Sequence, residues 1–504
     1  MDCGDSLFPP PVVIEPSSPW RNWSGTQEVY AQRVVRPRTL EALQEVICEV
    51  TARKGRARTV ATGLSFSDVL QADDTLLEMT GLLGEGGAVL LPLESELWRD
   101  PMHAEPLVRV VCGARIRHLN ATLACAGLAF ENLGGYDGQT MIGAISTSTH
   151  GSGLHLPPLA DAVVGLDLVS TGGKIWRLEP ENGLTCPKKY DEKYGTKRTL
   201  LQDTGRFLSA VVSLGCMGAI YSVTMRVRSA FRLRERRTVR SWREVRAELT
   251  SSRQPLETTR NYEIAINPYR NRDQDFSCLV TERWLAEPDA PTVPLPAARM
   301  AAENLVFLPS VQSSVHALMK NQPRLIAGIL QAGLEQLATK TDHIDDSFVV
   351  YNIGKINTAE VVSGEYFFPM TDNRYLAGIQ SFLDLVEHNR RTGIYQTAPL
   401  AVRFVRNSRA PLSMAQLVPH ATIEMTMFRH HPGAIEALLS YEKACMAQGG
   451  RPHWGETHLL TGKPGWLAAA YPALPTWLAA YKHFNDQGVF DNHFTERVIH
   501  GALS

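Results

Sequence analysis

The run Glu131-Asn-Leu-Gly-Gly-Tyr-Asp-Gly-Gln-Thr-Met-Ile-Gly-Ala-Ile-Ser-Thr-Ser-Thr-His-Gly-Ser-Gly153 combines glycines with hydroxyl side chains and one histidine. Glycine has no Cβ, so backbone built from it can lie closely against a flat or polyanionic ligand. Consecutive amides in such turns also form anion-binding concavities. The run therefore predicts a ligand-binding loop, with a Gly/Ser surface loop as the alternative. Its segment Thr140 to Ile145 predicts a short buried strand.

Two stretches on either side of this run have a similar character. Upstream, Thr59-Val-Ala-Thr-Gly-Leu-Ser-Phe-Ser67 follows the predicted strand Arg56 to Ala61 and offers amides that can hold a pyrophosphate. It is not a Rossmann fingerprint, because Gly-x-Gly-x-x-Gly is absent after the strand. Downstream, Ser213-Leu-Gly-Cys-Met-Gly-Ala-Ile-Tyr-Ser-Val223 has the form Gly-x-x-Gly followed by two apolar residues.

Together these motifs resemble the vanillyl-alcohol-oxidase family of FAD oxidoreductases, which have a PCMH-type FAD-binding domain. The similarity is greatest to the branch of aldonolactone oxidases, alditol oxidases and flavin-linked cholesterol oxidases. In that branch Gly-Gln-Thr, two apolar residues and Gly-Ala lead into Thr-His-Gly-Ser-Gly. This chain has Gly138-Gln139-Thr140, Gly143-Ala144 and Thr149-His150-Gly151-Ser152-Gly153. The three motifs also follow the family's order over about residues 20–230.

The resemblance implies FAD as the cofactor and implies that it is bound non-covalently. The family often carries a flavin-linking histidine in a Gly-His-Ser triplet, which here reads Gly63-Leu64-Ser65, and no cysteine lies near Asn132 to Gly135. His150 is expected to orient its loop. The cofactor-binding residues implied are Thr59, Ala61, Thr62, Gly63, Leu64, Ser65, Phe66, Ser67, Gly134, Gly135, Thr140, Gly143, Ala144, Thr147, Ser148, Thr149, His150, Gly151, Gly153, Gly218 and Ile220.

The catalytic residues implied by the resemblance depart from the family pattern at two positions. Related oxidases use a Glu-x-Arg strand and a Lys after His-Trp-Gly, whereas this chain has Ala401-Val402-Arg403 and Glu456 after His453-Trp454-Gly455. Arg403 is expected to hold a substrate oxygen or to lie near the flavin, with a structural salt bridge as the alternative. Glu456 is either a relocated base or an ion-pair partner of Arg403. His453 and Glu365 complete the candidates, each with a supporting role as the alternative.

The expected fold class is α+β, with a two-subdomain PCMH-type FAD-binding domain and an α+β substrate (cap) domain built on an antiparallel sheet. Thr39 predicts the N-cap of a helix that follows the strand Val34 to Arg36. Two cap strands are predicted, over Ala401 to Val405 and over Thr422 to Phe428. The predicted division is an arm at 1–30, the FAD-binding domain at 31–230, the cap at 231–450 and a segment at 451–504 that returns to the FAD-binding domain.

The composition favours an ordinary globular protein with a small-molecule substrate. The 504 residues include 51 basic and 52 acidic side chains, which gives no reason to expect nucleic acid as a partner. The eight cysteines are spread singly without metal-ligand spacing, so no metal site is expected and reduced thiols in the cytoplasm are predicted. No signal peptide and no apolar run of about 18 residues for a transmembrane segment are found. The oligomeric state is left open.

Two functions are consistent with these residues. The first is oxidation of a C–OH group of a sugar lactone, polyol, sterol or secondary metabolite by hydride transfer to flavin N5, with O2 or another acceptor reoxidising the flavin. The second is a flavoprotein of the same fold whose chemistry is lost or redirected, for instance to a cyclisation or a binding role. Ala401 favours the second function, and the cofactor loops and Arg403 favour the first.

Overall fold

Two large sheets and two small two-stranded sheets form the first half of the computed structural model, which describes residues 12–14, 18–100, 102–295, 309–339, 341–352 and 360–500. The first 11 residues of the predicted arm, residues 15–17 and the last four of the predicted C-terminal segment lie outside these ranges. The strands of this half are β1 (Val12–Ile14), β2 (Trp20–Arg21), β3 (Glu28–Val29), β4 (Arg33–Arg36), β5 (Ala57–Val60), β6 (Thr75–Glu78), β7 (Leu90–Leu91), β8 (Leu107–Val111), β9 (Leu128–Ala129), β10 (Val163–Val169), β11 (Ile175–Glu179), β12 (Thr199–Gln202), β13 (Ala219–Arg226) and β14 (Arg228–Ser229).

The two small sheets pair β2 with β3 and β9 with β14, and each of the two large sheets has its own strand order. The first runs β1-β4-β6-β5, in which β4, β6 and β5 are parallel, and the second runs β12-β11-β10-β13-β8-β7. The helices of this half are α1 (Leu40–Ala52), α2 (Ile116–Cys125), α3 (Met141–Ser146), α4 (Pro187–Tyr194) and α5 (Thr204–Val211). As predicted, Thr39 caps α1, because its side chain accepts a hydrogen bond from the Ala42 amide at 3.1 Å.

The predicted strand over Thr140 to Ile145 is wrong, since these residues begin helix α3. The Thr140 side chain accepts a hydrogen bond from the Gly143 amide at 3.3 Å, so a threonine interpreted as a strand residue acts as an N-cap. Met141 and Ile145 are fully buried on the resulting turns. The hydrophobic pattern of such a short apolar run does not distinguish a strand from a helix. The N-cap formed by Thr140 favours the helix.

The second half contains an eight-stranded sheet in which all neighbouring strands are antiparallel, with the order β18-β15-β17-β16-β20-β21-β19-β22. This confirms the expected α+β class and the antiparallel cap sheet. The strands are β15 (Arg232–Ser241), β16 (Asn261–Arg270), β17 (Phe276–Leu285), β18 (His343–Asp346), β19 (Val361–Pro369), β20 (Leu400–Val405), β21 (His420–Phe428) and β22 (Arg451–Pro452). The helices are α6 (Trp242–Ser251), α7 (Gln254–Thr258), α8 (Pro309–Asn321), α9 (Ile326–Leu337), α10 (Ser347–Tyr351), α11 (Arg374–Arg391), α12 (Ala434–Ala447), α13 (Trp466–Ala470) and α14 (Leu474–Phe484).

The two faces of the central cap strands differ in character. On one face apolar side chains such as Ile264, Val402 and Ile423 are buried in a cluster with residues of α9, α11 and α12. Ala401 and Arg403 of β20 lie on the other face and are half-buried. Because successive side chains of a strand alternate between faces, the apolar face fixes which residues point the other way.

The end of the glycine-rich run joins the two halves of the chain. The Gly153 amide donates to the Phe404 carbonyl at 2.6 Å, and the Ser152 hydroxyl donates to the Tyr262 carbonyl at 2.7 Å. Gly153 has φ +131°, and a Cβ there would meet the Arg260 carbonyl at 2.6 Å. Close approach of the run to the cap sheet therefore requires glycine at this position.

The last part of the described chain lies against the first sheet. The Ala57 amide donates to the Val489 carbonyl at 2.7 Å, and the Asn492 side chain donates to the Gln71 carbonyl at 2.8 Å. The Trp477 indole donates to the Val212 carbonyl at 3.0 Å. The predicted boundaries at 30, 230 and 450 stay a prediction.

Candidate active site

A cleft of about 920 Å³, including the part open to solvent, lies between the two sheets of the first half. It is lined by the turn after β5, by α3 and by the segment before β13. The predicted cofactor residues that line it are Thr59, Ala61, Thr62, Gly63, Leu64, Ser65, Thr140, Gly143, Ala144, Thr147, Gly218 and Ile220. The structure thus brings the three sequence motifs together around one space.

The other predicted cofactor residues lie outside this lining and pack the run against its neighbours. The Phe66 amide donates to the Gly455 carbonyl at 2.7 Å, and the Ser148 and Ser413 hydroxyls are 2.8 Å apart. A Cβ on Gly151 would meet the Leu133 carbonyl at 2.3 Å. The remaining members of this group are Ser67, Gly134, Gly135, Thr149, His150 and Gly153.

The chemistry of the lining fits the diphosphate of FAD. In the part of the chain that the structure describes, the amides of residues 62 to 65 donate no hydrogen bond to the protein, so they are available to a ligand. Gly63 has φ +65°, and a Cβ there would meet the Trp20 ring at 2.6 Å. Arg58 is the one charged residue of the described lining. A cleft with free amides, an arginine and no carboxylate suits a polyanion.

Arg58 is a lining residue that the motifs did not reveal. It is 2% exposed, and its guanidinium donates to the carbonyls of Leu214, of Gly215 at 3.1 Å and of Phe490 at 3.2 Å. These bonds connect β5, the segment before β13 and the C-terminal segment behind the cleft. The predicted strand Arg56 to Ala61 contains two arginines, and the sequence alone does not indicate that Arg58 is the buried one.

Cys112 also lines the cleft, but it is a poor nucleophile there. It is 2% exposed, and burial raises the pKa of its thiol to about 12. The reactive form of cysteine is the thiolate, so this thiol is inert at neutral pH.

Leu64 is the middle residue of the Gly63-Leu64-Ser65 triplet, where the resemblance implies a linking histidine in related proteins. A Cβ on Gly138 would lie 3.6 Å from Leu64 Cδ1.

The half-exposed face of the cap sheet carries a cluster of charged side chains around Arg403. Arg403 Nη1 lies 3.2 Å from Glu365 Oε1, and Arg403 Nη2 lies 2.6 Å from Glu424 Oε2. The side chains of Arg403 and Glu424 are 26% and 23% exposed, whereas Glu365 is 6% exposed. The guanidinium is therefore held between two carboxylates and presented toward the open side of the sheet.

His150 connects the glycine-rich run to this cluster. Its Nδ1 lies 2.7 Å from the Gly151 carbonyl and so carries a hydrogen, and its Nε2 lies 3.3 Å from Glu365 Oε2. Burial alone would raise the pKa of Glu365, but His150 and Arg403 outweigh burial and hold the pKa of this carboxyl well below its ordinary value.

His453 lies in the turn after β22, which contacts the turn after β5 through the bond from the Phe66 amide to the Gly455 carbonyl. Burial lowers its pKa to about 4, so it is neutral at pH 7. The Gly455 amide donates to His453 Nδ1 at 3.0 Å, which leaves the hydrogen of the neutral ring on Nε2. The polar atoms of His150, Glu365 and His453 lie within 4.8 Å of one another, but these bonds already use the lone pairs that a metal ion would need.

Glu456 differs from the other carboxylates of the cluster. Burial, followed by the charges of Glu424 and Glu365, raises the pKa of its carboxyl well above the ordinary value. Among the described residues its Oε2 is buried without a hydrogen-bond partner. Arg403 pairs with Glu365 and Glu424, so the alternative in which Glu456 is the ion-pair partner of Arg403 does not hold among the described residues.

Glu424 is the residue of this cluster that the motifs missed. It lies on the predicted strand Thr422 to Phe428, where Thr422, Glu424 and Thr426 alternate with apolar residues. That alternation indicates a polar face, but the sequence does not say what the face meets. Its position next to Arg403 depends on the pairing of β20 with β21.

The fold and the cleft define a class, the FAD-dependent oxidoreductases with a two-sheet FAD-binding region and an antiparallel cap. The sequence profile of an FAD binding domain matches residues 31–179, and that of D-arabinono-1,4-lactone oxidase matches residues 223–498. The second match covers more than half of the chain. The chain belongs to the D-arabinono-1,4-lactone oxidase family.

Similar proteins extend over nearly the whole chain. L-gulono-1,4-lactone dehydrogenase of Mycobacterium tuberculosis is 27% identical over 489 residues, which cover 95% of this chain and 99% of the relative. Alditol oxidase of a Streptomyces species is 24% identical over 492 residues, which cover 95% and 99% of the two chains. The crystal structure of cholesterol oxidase from B. sterolicum has a TM-score of 0.77 at 16% identity, covers 98% of this chain and 99% of its own, and shares the fold. No helix among the described residues is long and apolar enough to cross a membrane.

Proposed function

We propose that this protein oxidises a C–OH group of a sugar lactone or polyol with FAD as the hydride acceptor. The single observation that supports this proposal is the Arg403 guanidinium, fixed by Glu365 and Glu424 on the half-exposed cap face. The named activities of the relatives, lactone dehydrogenase and alditol oxidase, support the substrate class. Sterols and secondary metabolites are the less favoured substrates.

When bound, FAD supplies a hydride acceptor at flavin N5. Arg403 holds the substrate oxygen, because a guanidinium with two of its edges fixed by carboxylates still presents donors to the open side. The hydroxyl proton leaves to solvent at the open side of the sheet. Bound FAD would pass the electrons on to O2 or to another acceptor.

Neutral side chains complete the arrangement around Arg403. The raised pKa of Glu456 favours its protonated form, which donates a hydrogen bond to a substrate oxygen instead of acting as a base. His453, with its hydrogen on Nε2, is a second neutral donor. Glu365 acts through Arg403 and His150, because both of its oxygens are already bonded.

FAD is held non-covalently in the cleft between the two sheets. Leu64 cannot form a bond to the flavin, and the Cys112 thiol has its pKa raised by burial. The free amides of residues 62 to 65 would hold the diphosphate, and Arg58, bonded to carbonyls behind the cleft, would add a positive charge near it. The lining residues Gly143 and Gly218 let the backbone approach the ligand closely. The free thiols favour a cytoplasmic location.

Anaerobic mixing with sugar lactones and polyols tests this function through bleaching of the flavin absorbance. A matched control is Arg390→Ala, which removes an exposed cap arginine paired with Glu387. Bleaching by the wild-type protein and by the control, but not by Arg403→Ala, is the expected result. If sugar lactones, polyols, sterols and other hydroxylated metabolites all leave the wild-type flavin oxidised, the hypothesis of a flavoprotein with lost or redirected chemistry is favoured.

A further inference from the structure

One row of side chains crosses four neighbouring strands of the cap sheet, β16, β20, β21 and β19. Ala265 pairs with Ala401, Ala401 pairs with Glu424, and Glu424 pairs with Glu365. Directly paired residues of antiparallel strands project from the same face, about 5 Å apart at Cβ. Ala401, the position of the acid in the Glu-x-Arg pattern of related oxidases, is therefore the immediate neighbour of Glu424.

Arg403 can be reached by a carboxylate from either of these two positions. Residue 401 lies two positions before Arg403 on β20, on the same face of the sheet. Residue 424 lies diagonally from Arg403 across the strand pair, at about 7–8 Å, a distance that long side chains bridge. The bridge is formed in this structure, since Glu424 Oε2 lies 2.6 Å from Arg403 Nη2.

We propose that Glu424 supplies, from the neighbouring strand, the carboxylate that related oxidases carry two residues before the arginine. Glu424 is in this sense a positioning residue, because it acts on the substrate through Arg403. The catalytic part of the inference rests on the proposed function, whereas the exchange of the carboxylate between positions 401 and 424 does not.

The charges around Glu424 agree with this exchange. Glu365 and Glu424 are direct cross-strand neighbours, and two like charges in that relation destabilise a sheet unless a cation lies between them. Arg403 bonds to both of these carboxylates. A second glutamate at 401 would add a carboxylate that this single guanidinium cannot pair, so alanine at 401 goes together with glutamate at 424.

The test moves the carboxylate from one strand to the other. Glu424→Ala, Ala401→Glu and the double variant Ala401→Glu/Glu424→Ala are compared with the wild type in two measurements. The first is the melting temperature of the FAD-loaded protein, and the second is the anaerobic rate of flavin reduction by the lactone or polyol that bleaches the wild type. Glu387→Ala, which removes a carboxylate from an exposed cap ion pair, is the matched control.

The effect of Ala401→Glu on the melting temperature is expected to change sign when Glu424 is removed. Ala401→Glu lowers the melting temperature when Glu424 is present and raises it when Glu424 is absent, by about 2 °C or more in each background. Glu424→Ala slows flavin reduction about a hundredfold, the double variant regains most of that rate, and the control changes neither quantity. Glu424→Gln, which keeps the shape without the charge, reproduces the slow rate if Glu424→Ala folds poorly.

Each alternative outcome is informative. The proposal is overturned if Ala401→Glu has the same effect on melting temperature in both backgrounds. Recovery of the melting temperature without recovery of the rate overturns the positioning role and leaves Glu424 as a structural ion-pair partner. If no C–OH donor reduces the wild-type flavin, the proposed function fails, and the melting temperatures still decide whether positions 401 and 424 are interchangeable.

Discussion

The cleft of the first half and the charged face of the cap sheet are built on opposite principles. The cleft is lined by backbone and small residues from short contiguous segments, with Arg58 as its one charged residue within the described chain. The cap face is formed by charged side chains of strands far apart in sequence, with Arg403, Glu365 and Glu424 in contact. A backbone site requires glycine at fixed positions, whereas a side-chain site can obtain the same charge from a neighbouring strand.

Arg403→Ala is expected to give the largest effect and to separate the two regions. It leaves Glu365 and Glu424 opposite each other without a cation, which destabilises the cap by about 3–5 kcal/mol, and it slows flavin reduction by roughly a hundredfold or more. FAD content is expected to stay at the wild-type level, because Arg403 does not line the cleft. Flavin content, denaturant unfolding and stopped-flow reduction check these outcomes. Loss of FAD from the folded variant would contradict the separation of the two regions.

Gly63→Val tests the cleft in the same way. Gly63 has φ +65°, and the valine side chain would meet the Trp20 ring. This strains the turn by about 1–3 kcal/mol. FAD affinity is therefore expected to fall about tenfold or more. Gly127→Val is the matched control, because Gly127 has φ +67° but an added Cβ there meets nothing within 4 Å. Titration of the apoprotein with FAD measures the difference. Equal affinities for both variants would show that the contact at position 63 is unimportant.

Glu456→Gln is expected to change the pH dependence of stability more than the stability itself. The folded-state pKa of Glu456 is raised above its ordinary value of 4.5, so the folded protein binds more protons than the unfolded chain. The stability contributed by Glu456 is therefore fully present below about pH 4.5 and is lost as the pH rises through the raised pKa. Glutamine does not titrate, so the variant gains melting temperature relative to the wild type as the pH rises. A difference that is constant with pH would show that Glu456 is ionised when folded.

Leu64→Ala is expected to give the smallest effect. Acid precipitation should release essentially all the flavin as free FAD from the wild type and from the variant, because neither has a linking residue at this position. Absorbance of the supernatant and of the washed pellet measures the two fractions. Flavin that stays with the precipitated wild-type protein would refute non-covalent binding and would direct attention to Cys112, the one thiol of the described lining.

The sequence motifs were strongest where function depends on backbone conformation. The turn after β5 and the segment before β13 line the cleft as expected, because glycine at Gly63 and Gly218 is required by positive φ. The same motifs misjudged Thr140, whose capping of α3 depends on one local hydrogen bond. They also extended the cofactor set to Ser148 and Gly153, which pack against the cap.

The charged cluster was only partly predictable. Arg403, His453, Glu365 and Glu456 were found through their motifs, but their partners were not. The pairing of Arg403 with Glu424, and not with Glu456, follows from the register of β20 with β21, and the raised pKa of Glu456 follows from burial next to Glu424 and Glu365.

The sequence by itself determined the class of fold, the cofactor cleft and the position of the central arginine. Glycines, hydroxyls and caps act on residues that are near in the chain, so their pattern can be interpreted without a structure. The tertiary structure alone decided which carboxylate bonds to Arg403 and which one has its pKa raised. Strand register and burial bring together residues separated by tens of positions, and electrostatic interactions depend on those distances and on the local exclusion of water.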